Sequence, residues 1–322
     1  YNSCRNRHCP TCGGHKREQW IAKRGEELLD VPYFHVVFTL PHELNALALE
    51  QPALLYGTLF KTAWATLLGF AENPKYLAAK PGMIALLHTW GQNLQLHPHL
   101  HCIVPSGGVT KYGTWKSSRN KGKFLFCVKE MSKVFRAKFV AELRKNKAPV
   151  KKKTYDSLFQ KKWVIYAKTP FRNTFSVIEY LGRYSHKVAI SNHRITAIDN
   201  INDTVSFTAK NYRKNGKTEH LTLSQQKFIR RFTLHVLPKG FTRIRHYGIL
   251  SGTWKKKHLA QLQQKLSKGK KRIVQQQKTM HKVCPSCKKG NLITLLLFNK
   301  NLAPPKGLLA QINKSKTLLT NA

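Results

Sequence analysis

Apolar residues follow two spacings along the chain, one typical of strands and the other of helices. Runs rich in β-branched and aromatic side chains predict strands at 31–40, 82–90, 99–108 and 162–170. Apolar residues at helical spacing predict helices at 42–70, with a break near Pro52, and at 130–146 and 175–186. The second and third strands are joined by a segment that contains glycine and proline. They are therefore expected to form an antiparallel pair.

Shorter elements are predicted around these. Two short strands are expected near 111–116 and 123–128, and the lysine-rich run 147–153 is interpreted as a solvated loop. Further along, the sequence predicts a hairpin at 194–212, a helix at 221–237, and an exposed basic helix or partly disordered arm at 255–277. The hairpin and the helix after it indicate a second, smaller unit.

The net charge of the chain indicates which class of molecule it binds. The chain has 322 residues, with 57 Lys and Arg against 14 Asp and Glu, giving a formal net charge of +43. A compact protein of this charge repels itself unless a polyanion is near, so nucleic acid is the expected partner. A membrane partner is not expected, because the basic residues are not confined to one amphipathic helix. The longest apolar runs are also far shorter than the roughly 20 residues that cross a bilayer.

Histidines alternate in the sequence His-Pro-His-Leu-His, which begins at His97. Alternate residues of a strand point to one face, so His99 and His101 can bind the same metal ion. If the preceding strand pairs in the right register, His88 completes a three-nitrogen site with open positions for water or a phosphate oxygen. The alternatives are a structural zinc site or polar histidines at a strand end. His97 can instead be a turn residue, because a proline follows it.

Two tyrosines are candidate nucleophiles. Tyr180 and Tyr184 are four positions apart on a predicted helix, so both hydroxyls lie on one face and a single metal site can serve both. With a pKa of about 10, a tyrosine needs a nearby cation to attack a phosphodiester. Arg183 and Lys187 have the charge needed to hold DNA phosphates. The alternative for the tyrosine pair is ordinary amphipathic packing.

Cysteines cluster at both ends of the chain. The zinc-compatible residues are Cys4, His8, Cys9, Cys12, Cys284 and Cys287. Their short spacings predict structural zinc (Zn²⁺) knuckles in a reducing cytosol. The N-terminal site is completed either by ligands that precede Tyr1 or by the C-terminal pair. Cys102 and Cys127 lie in apolar runs and are predicted to be core thiols.

Basic residues interleaved with aromatic ones are candidate DNA contacts. The arginines in this class are Arg172, Arg243 and Arg245. Neighbouring aromatic rings can stack on unpaired bases, although most are expected in the core. Phosphate contacts should dominate the affinity and make it fall steeply with salt.

Several motifs occur together in a specific order. They are YNSCRNRHCPTC, LHTWGQNLQLHPHLHCIVPSGG, YLGRYSHKVAISNHRI and FIRRFTLHVLPKGFTRIRHYGIL. From about residue 1 to 250 the chain closely resembles the paired-tyrosine, HUH-type rolling-circle transposases of the insertion sequence 91 family. His99 and His101 match the family's metal-binding His-hydrophobic-His, and Tyr180 and Tyr184 match its tyrosine pair.

The resemblance implies an α+β fold: a partial zinc-binding module, then an HUH nuclease domain with a central antiparallel sheet flanked by helices. It implies that one tyrosine cleaves a single DNA strand, leaving a 5′-phosphotyrosine link and a free 3′-hydroxyl, without ATP. The cofactor expected at the nuclease site is Mg²⁺ or Mn²⁺. The spacing of His88 from His99 is similar to that in conjugative relaxases; Gln92, Gln95 and His97 compete for the place of third ligand.

The expected domain boundaries are 1–30 for the partial zinc-binding module, 31–192 for the nuclease domain, 193–254 for an accessory α+β segment, and 255–322 for a basic, partly disordered C-terminal region. The predicted protein is a transposase that acts on single-stranded element ends and target DNA, in the cytoplasm with the nucleoid. The alternative is a non-catalytic zinc-containing nucleic-acid-binding protein, or a degenerate transposase copy.

Overall fold

The computed structural model describes residues 20–21, 23–168, 171, 176–177, 180, 182, 189–211, 214–238 and 240–267, and the backbone alone of Lys121, 282–283 and 291–292. The chain divides into two compact units, Tyr1–Lys271 and Arg272–Ala322. Within the described residues no helix is both long and apolar enough to cross a membrane.

The first unit contains strands and helices in alternation. Its strands are β1 (Tyr33–Thr39), β2 (Gly82–Trp90), β3 (Leu96–Pro105), β4 (Gly107–Val109), β5 (Trp115–Ser117), β6 (Ile165–Lys168), β7 (Ile195–Asp199), β8 (Thr204–Asn211), β9 (Lys217–Ser224) and β10 (Ile244–Gly248). Its helices are α1 (Asn45–Glu50), α2 (Pro52–Glu72), α3 (Arg119–Gly122), α4 (Val128–Lys145), α5 (Lys152–Gln160), α6 (Gln225–Thr233) and α7 (Gly252–Leu266). Residues 20–21, 23–26, 176–177, 180 and 182 are also helical. In the second unit, β11 (Lys282–Val283) and β12 (Asn291–Leu292) pair antiparallel.

A five-stranded sheet forms the centre of the first unit, in the order β10-β2-β3-β1-β6. All of its neighbouring strands are antiparallel. Helices α2 and α4 pack on one face and enclose a large apolar core with the strand residues that point towards them. The predicted α+β class, with a central antiparallel sheet flanked by helices, is confirmed.

Successive residues of a strand point to opposite faces of the central sheet, so the two faces carry different side chains. Phe38, Leu100 and Cys102 point into the helix-covered core, where the Phe38 ring lies 4.9 Å from that of Phe135. Burial raises the pKa of the Cys102 thiol, which agrees with its prediction as a core residue. The residues between them point to the opposite face, which carries a smaller apolar cluster and the predicted metal ligands.

A second, three-stranded sheet has the order β7-β8-β9 and packs with α6. Its apolar side includes Phe207 and Ala209, which form a cluster with Leu94 of the β2–β3 turn. This sheet lies within the segment predicted as accessory. In contrast, β10 comes from the end of the same segment yet pairs with β2 in the central sheet.

The structure differs from the predicted elements in three places. Residues 123–127 form no strand; Leu125 and Phe126 are instead buried against the helix layer, so their apolar character reflects packing without pairing. Residues 221–224 belong to β9, and the helix begins only after Ser224, whose Oγ accepts from the Lys227 N–H at 3.3 Å. The lysine-rich run leads into α5 from Lys152, because Tyr155 and Leu158 give that turn a buried face.

Gly248 fixes the approach of β10 to β2 and yields a stability prediction. Its φ is +58°, and a Cβ there would lie 1.9 Å from the Pro81 carbonyl oxygen. Gly248→Ala should therefore lower the free energy of unfolding by about 3 kcal/mol or more, through backbone strain and steric overlap. Gly216→Ala is the control, because its φ is +77° and nothing lies within 4 Å of the added carbon. That change should cost about 1 kcal/mol. Urea unfolding of the full chain measures both, and equal losses would contradict the close approach.

Candidate active site

Three histidines converge on the face of the central sheet that α2 and α4 do not cover. His88 on β2 lies directly opposite His99 on β3, and His101 follows on the same face. One ligand nitrogen from each lies within 4.8 Å of the others. Among the described residues this is the group whose donor atoms meet closely enough for one metal ion. The cross-strand convergence is as the sequence predicted.

The hydrogen bonds of His99 and His101 aim their Nε2 atoms at a common point. The His99 Nδ1–H donates to the His97 carbonyl oxygen at 2.6 Å, so the Nε2 of a neutral His99 carries a lone pair. That Nε2 lies 3.1 Å from the Nε2 of His101. Two nitrogens that bind one ion, each at about 2.1 Å from it, lie about 3 Å apart. The donor set therefore fits a metal ion held by three imidazoles.

Burial keeps the His99 and His101 rings neutral, which is the form that binds metal. Burial lowers the pKa of His99 to about 4. It also lowers the pKa of His101 well below 6.5, and the neighbouring His88 lowers it further. His88 itself is 3% exposed and stacks on the Trp90 ring, with centroids 4.6 Å apart.

The β2–β3 turn that connects the ligands is held by three side chains from the segment 194–235. Three successive carbonyl oxygens of the turn accept hydrogen bonds: Arg194 donates to that of Gln92 at 2.5 Å, Arg231 to that of Asn93 at 3.0 Å, and the His235 Nε2–H to that of Leu94 at 3.0 Å. His235 also lies 3.1 Å from the Thr89 hydroxyl through its other ring nitrogen. The turn is therefore anchored along its whole length.

Two of the competitors for the third ligand position, Gln95 and His97, are exposed. The Gln95 side chain accepts from the Asn93 amide at 2.8 Å and is exposed. The main chain of Gln92 takes part in the turn contacts. His97 lies in β3 and not in a turn, but its ring is exposed and outside the group of converging donors.

Tyr180 lies beside the histidine group. Its hydroxyl is 2.8 Å from His101 Nδ1 and 2.8 Å from the Nε2 of His35, a residue on β1. The His35 and His101 rings stack with centroids 5.1 Å apart. His35 is 8% exposed, and burial, with Lys168 nearby, lowers its pKa to about 4.

The sequence interpretation did not include His35. The available signal was a single histidine in a largely apolar strand, at a position whose neighbours Phe34 and Val36 both face the helix-covered core. A polar residue on the other face of such a strand indicates a partner there. The sequence could not identify that partner, because Tyr180 is 145 positions away.

Several predicted residues lie outside the described part of the chain. They are Tyr184, Arg172, Arg183, Lys187, Cys4, His8, Cys9, Cys12, Cys284 and Cys287. Of the remaining predicted DNA contacts, Arg245 lies over the Phe60 ring at 4.2 Å, on the helix-covered side of the sheet. Arg243 is half-buried just before β10 and accepts a hydrogen bond from the Leu87 N–H at 3.0 Å. Arg245 therefore lies on the opposite face of the sheet from the histidine group.

The sequence matches two protein families. Residues 82–258 match the family described as "Putative transposase", and residues 1–40 match the "Transposase zinc-binding domain" family. The first match contains the three histidines and Tyr180. The second contains the N-terminal cysteine cluster.

Two curated relatives are similar over most of the chain. The "Putative transposase y4qJ" of Sinorhizobium fredii is 39% identical over 335 residues, covering 95% of this chain and 83% of the relative. The transposase for insertion sequence element IS801 of Pseudomonas savastanoi pv. phaseolicola is 30% identical over 267 residues. That match covers 78% of this chain and 62% of the relative. Among solved structures, a conjugative relaxase, TrwC, in complex with mutant oriT DNA is 11% identical, with a TM-score of 0.29 over 73% of this chain and 72% of that chain.

Replacing His88 should weaken metal binding more than replacing His97. His88→Ala removes one of the converging nitrogens and should weaken Mn²⁺ binding by more than the roughly 10- to 100-fold that loss of an outer-shell partner costs. His97→Ala is the matched control, because it removes an exposed ring but keeps the carbonyl oxygen that orients His99. Calorimetric titration of the full chain with Mn²⁺ measures this, since cysteine thiolates prefer softer ions. Unchanged binding by the His88→Ala protein would exclude His88 as a ligand.

Proposed function

The chain belongs to the insertion sequence 91 family of transposases, and we propose that it cuts and joins single DNA strands in rolling-circle transposition, by a metal-dependent reaction through 5′-phosphotyrosine links. As a transposase it acts on DNA; the strandedness and the mechanism are the proposal. The observation that carries it is the Tyr180 hydroxyl, 2.8 Å from a nitrogen of His101, whose other nitrogen faces the metal-binding group. A candidate nucleophile and a candidate ion site thus share one side chain.

In the proposed cleavage, the Tyr180 oxygen forms a bond to the phosphorus of a phosphodiester. The bond from that phosphorus to the 3′-oxygen breaks, and the 3′-oxygen takes up a proton to become a free 3′-hydroxyl. The phenolic proton leaves the tyrosine in the same step. The 5′-phosphotyrosine link conserves the energy of the broken bond, so a 3′-hydroxyl can attack it later without ATP. Tyr184 is the proposed second nucleophile, for the partner strand.

His88, His99 and His101 are the proposed ligands of the ion. When bound, the ion makes the phosphate more electrophilic and stabilises the charge of the phenolate oxygen. The chain's own contribution is to hold three imidazoles in place and to keep the tyrosine hydroxyl beside them. Three nitrogen donors favour Mn²⁺ over Mg²⁺, which prefers oxygen ligands, so Mn²⁺ is the better ion for a first assay.

The path of the DNA strand is proposed to follow the uncovered face of the central sheet. On that face, the edge strand β6 presents Tyr166, which is 55% exposed, and the exposed Lys168, paired directly opposite His35. An exposed ring can stack on an unpaired base, and a lysine beside it can neutralise a phosphate. The net charge of +43 supports the same partner. The proposal places the protein in the cytoplasm, with the nucleoid.

The nucleophile assignment predicts a covalent adduct. Incubation of the full chain with Mn²⁺ and a single-stranded oligonucleotide carrying the element end should yield a protein–DNA species that survives denaturing electrophoresis. The double change Tyr180→Phe and Tyr184→Phe should abolish it, because both attacking oxygens are removed while the rings remain. His99→Ala should lose the adduct but largely retain DNA binding.

Two results would contradict this assignment. An adduct that persists in the double variant would place the nucleophile elsewhere. DNA binding by the unaltered protein without any adduct, under either Mn²⁺ or Mg²⁺, would favour a non-catalytic binding protein.

The proposed path of the DNA strand predicts that two exposed lysines contribute differently to the affinity for single-stranded DNA. Lys168→Gln should weaken binding of single-stranded DNA and reduce the slope of log affinity against log salt by about one. Lys138→Gln is the control, because Lys138 is exposed on α4, which packs on the other face of the sheet. Fluorescence anisotropy over a range of salt concentrations measures both. Equal effects of the two changes would indicate diffuse charge attraction in place of a path over this face.

A further inference from the structure

We propose that His35 is a positioning residue for the nucleophile: it holds the Tyr180 hydroxyl between itself and His101, with the oxygen turned towards the metal-binding group. This inference rests on the proposed function, because it assigns a role in support of Tyr180 as the attacking residue. Its basis is a set of three short contacts, in which each of the three side chains lies within 2.9 Å of the other two.

The direction of the hydrogen bonds follows from the ligand role of His101. When its Nε2 faces the ion, its Nδ1 carries the proton and donates to the Tyr180 oxygen at 2.8 Å. The Tyr180 hydroxyl then donates its own proton to the Nε2 of His35, also at 2.8 Å. Each atom has one role in this chain of donors and acceptors. The tyrosine proton points away from the ligand, and the oxygen faces it.

His35 is held firmly enough to serve this purpose. It lies in the middle of β1, which is hydrogen-bonded to β3 on one side and to β6 on the other, with Ile103 and Lys168 as its direct neighbours. Its ring is tilted by 48° against that of Tyr180, with centroids 4.6 Å apart. Ring contact and hydrogen bond together restrict the tyrosine side chain. The helical backbone of Tyr180 does not by itself fix the hydroxyl, since a helix residue can still turn its ring about its side-chain bonds.

A purely structural role would make a different prediction. A buried histidine that only fills space can be replaced by another side chain with a cost in stability but no selective cost in rate. A positioning role depends on an acceptor at the place of Nε2. This distinction sets the choice of variants.

His35→Gln and His35→Asn form a matched pair. Both are polar and uncharged, but the glutamine amide reaches the position of Nε2, whereas the asparagine amide reaches only that of Nδ1. His35→Asn should slow single-turnover adduct formation by about 100-fold, as expected when a reacting group is misplaced by about 1 Å. His35→Gln should restore the rate to within about 10-fold of the unaltered protein. Binding of Mn²⁺ should fall by less than the roughly 10- to 100-fold that loss of an outer-shell partner costs, because the His101 Nδ1–H keeps the Tyr180 oxygen as its acceptor. Binding of DNA should be unchanged in both.

A second measurement does not depend on activity. In a double-mutant cycle on thermal stability, the loss caused by His35→Asn should be smaller in the Tyr180→Phe background, where the hydroxyl that His35 binds is already absent. Additive losses would overturn the hydrogen bond, and so the inference. Adduct formation by the His35→Asn protein at the unaltered rate would also overturn the inference, while leaving the proposed function standing. No adduct from the unaltered protein would overturn both.

Discussion

The pairing register of β2 with β3 is the constraint on which the site depends. Because successive residues of a strand face opposite sides, a slip of one position would turn His99 and His101 into the core beneath α2 and α4. The same slip would bring Leu100 and Cys102, both fully buried, to the open face. Burying those two imidazoles among phenylalanines while exposing Leu100 and Cys102 is unfavourable in both directions. The apolar core therefore selects the register that brings the three histidines together.

Strands β1 and β10, which flank β3 and β2 in the central sheet, complete the surroundings of the histidine group. His35 on β1 is opposite Ile103, two positions along β3 from His101, so the second histidine of the hydrogen-bonded group comes from a different strand than the three converging histidines. Strand β10 closes the other edge, where Gly248 allows the backbone to approach Pro81. The acceptor and the donor for the Tyr180 hydroxyl are therefore both in place on the sheet.

Local patterns in the sequence accounted for the parts of the structure that depend on neighbours in the chain. The alternation around His99 and His101 predicted a shared face because the period of a strand is fixed, and His88 followed from pairing across a short connection. The contacts of His35 with residues 66 and 145 positions away could not be found this way. The place of β10 in the central sheet has the same explanation, because its partner β2 lies far earlier in the chain. The strand predicted near 123–128 was wrong for a different reason: the apolar residues of this segment are buried against helices and pair with no strand.

The segment between β6 and β10 supports the β2–β3 turn. By sequence it is an accessory unit, but Arg194, Arg231 and His235 donate to three consecutive carbonyl oxygens of the β2–β3 turn. The turn includes Leu94, which is fully buried with a φ of +62°, a conformation that a leucine adopts only when its surroundings hold it. A hairpin without this anchor could exchange registers at its turn end, where β2 and β3 already show an irregularity between His88 and Trp90. The segment 194–235 is thus best understood as part of the proposed metal site: its side chains hold the turn, the turn fixes the register, and the register places the histidines.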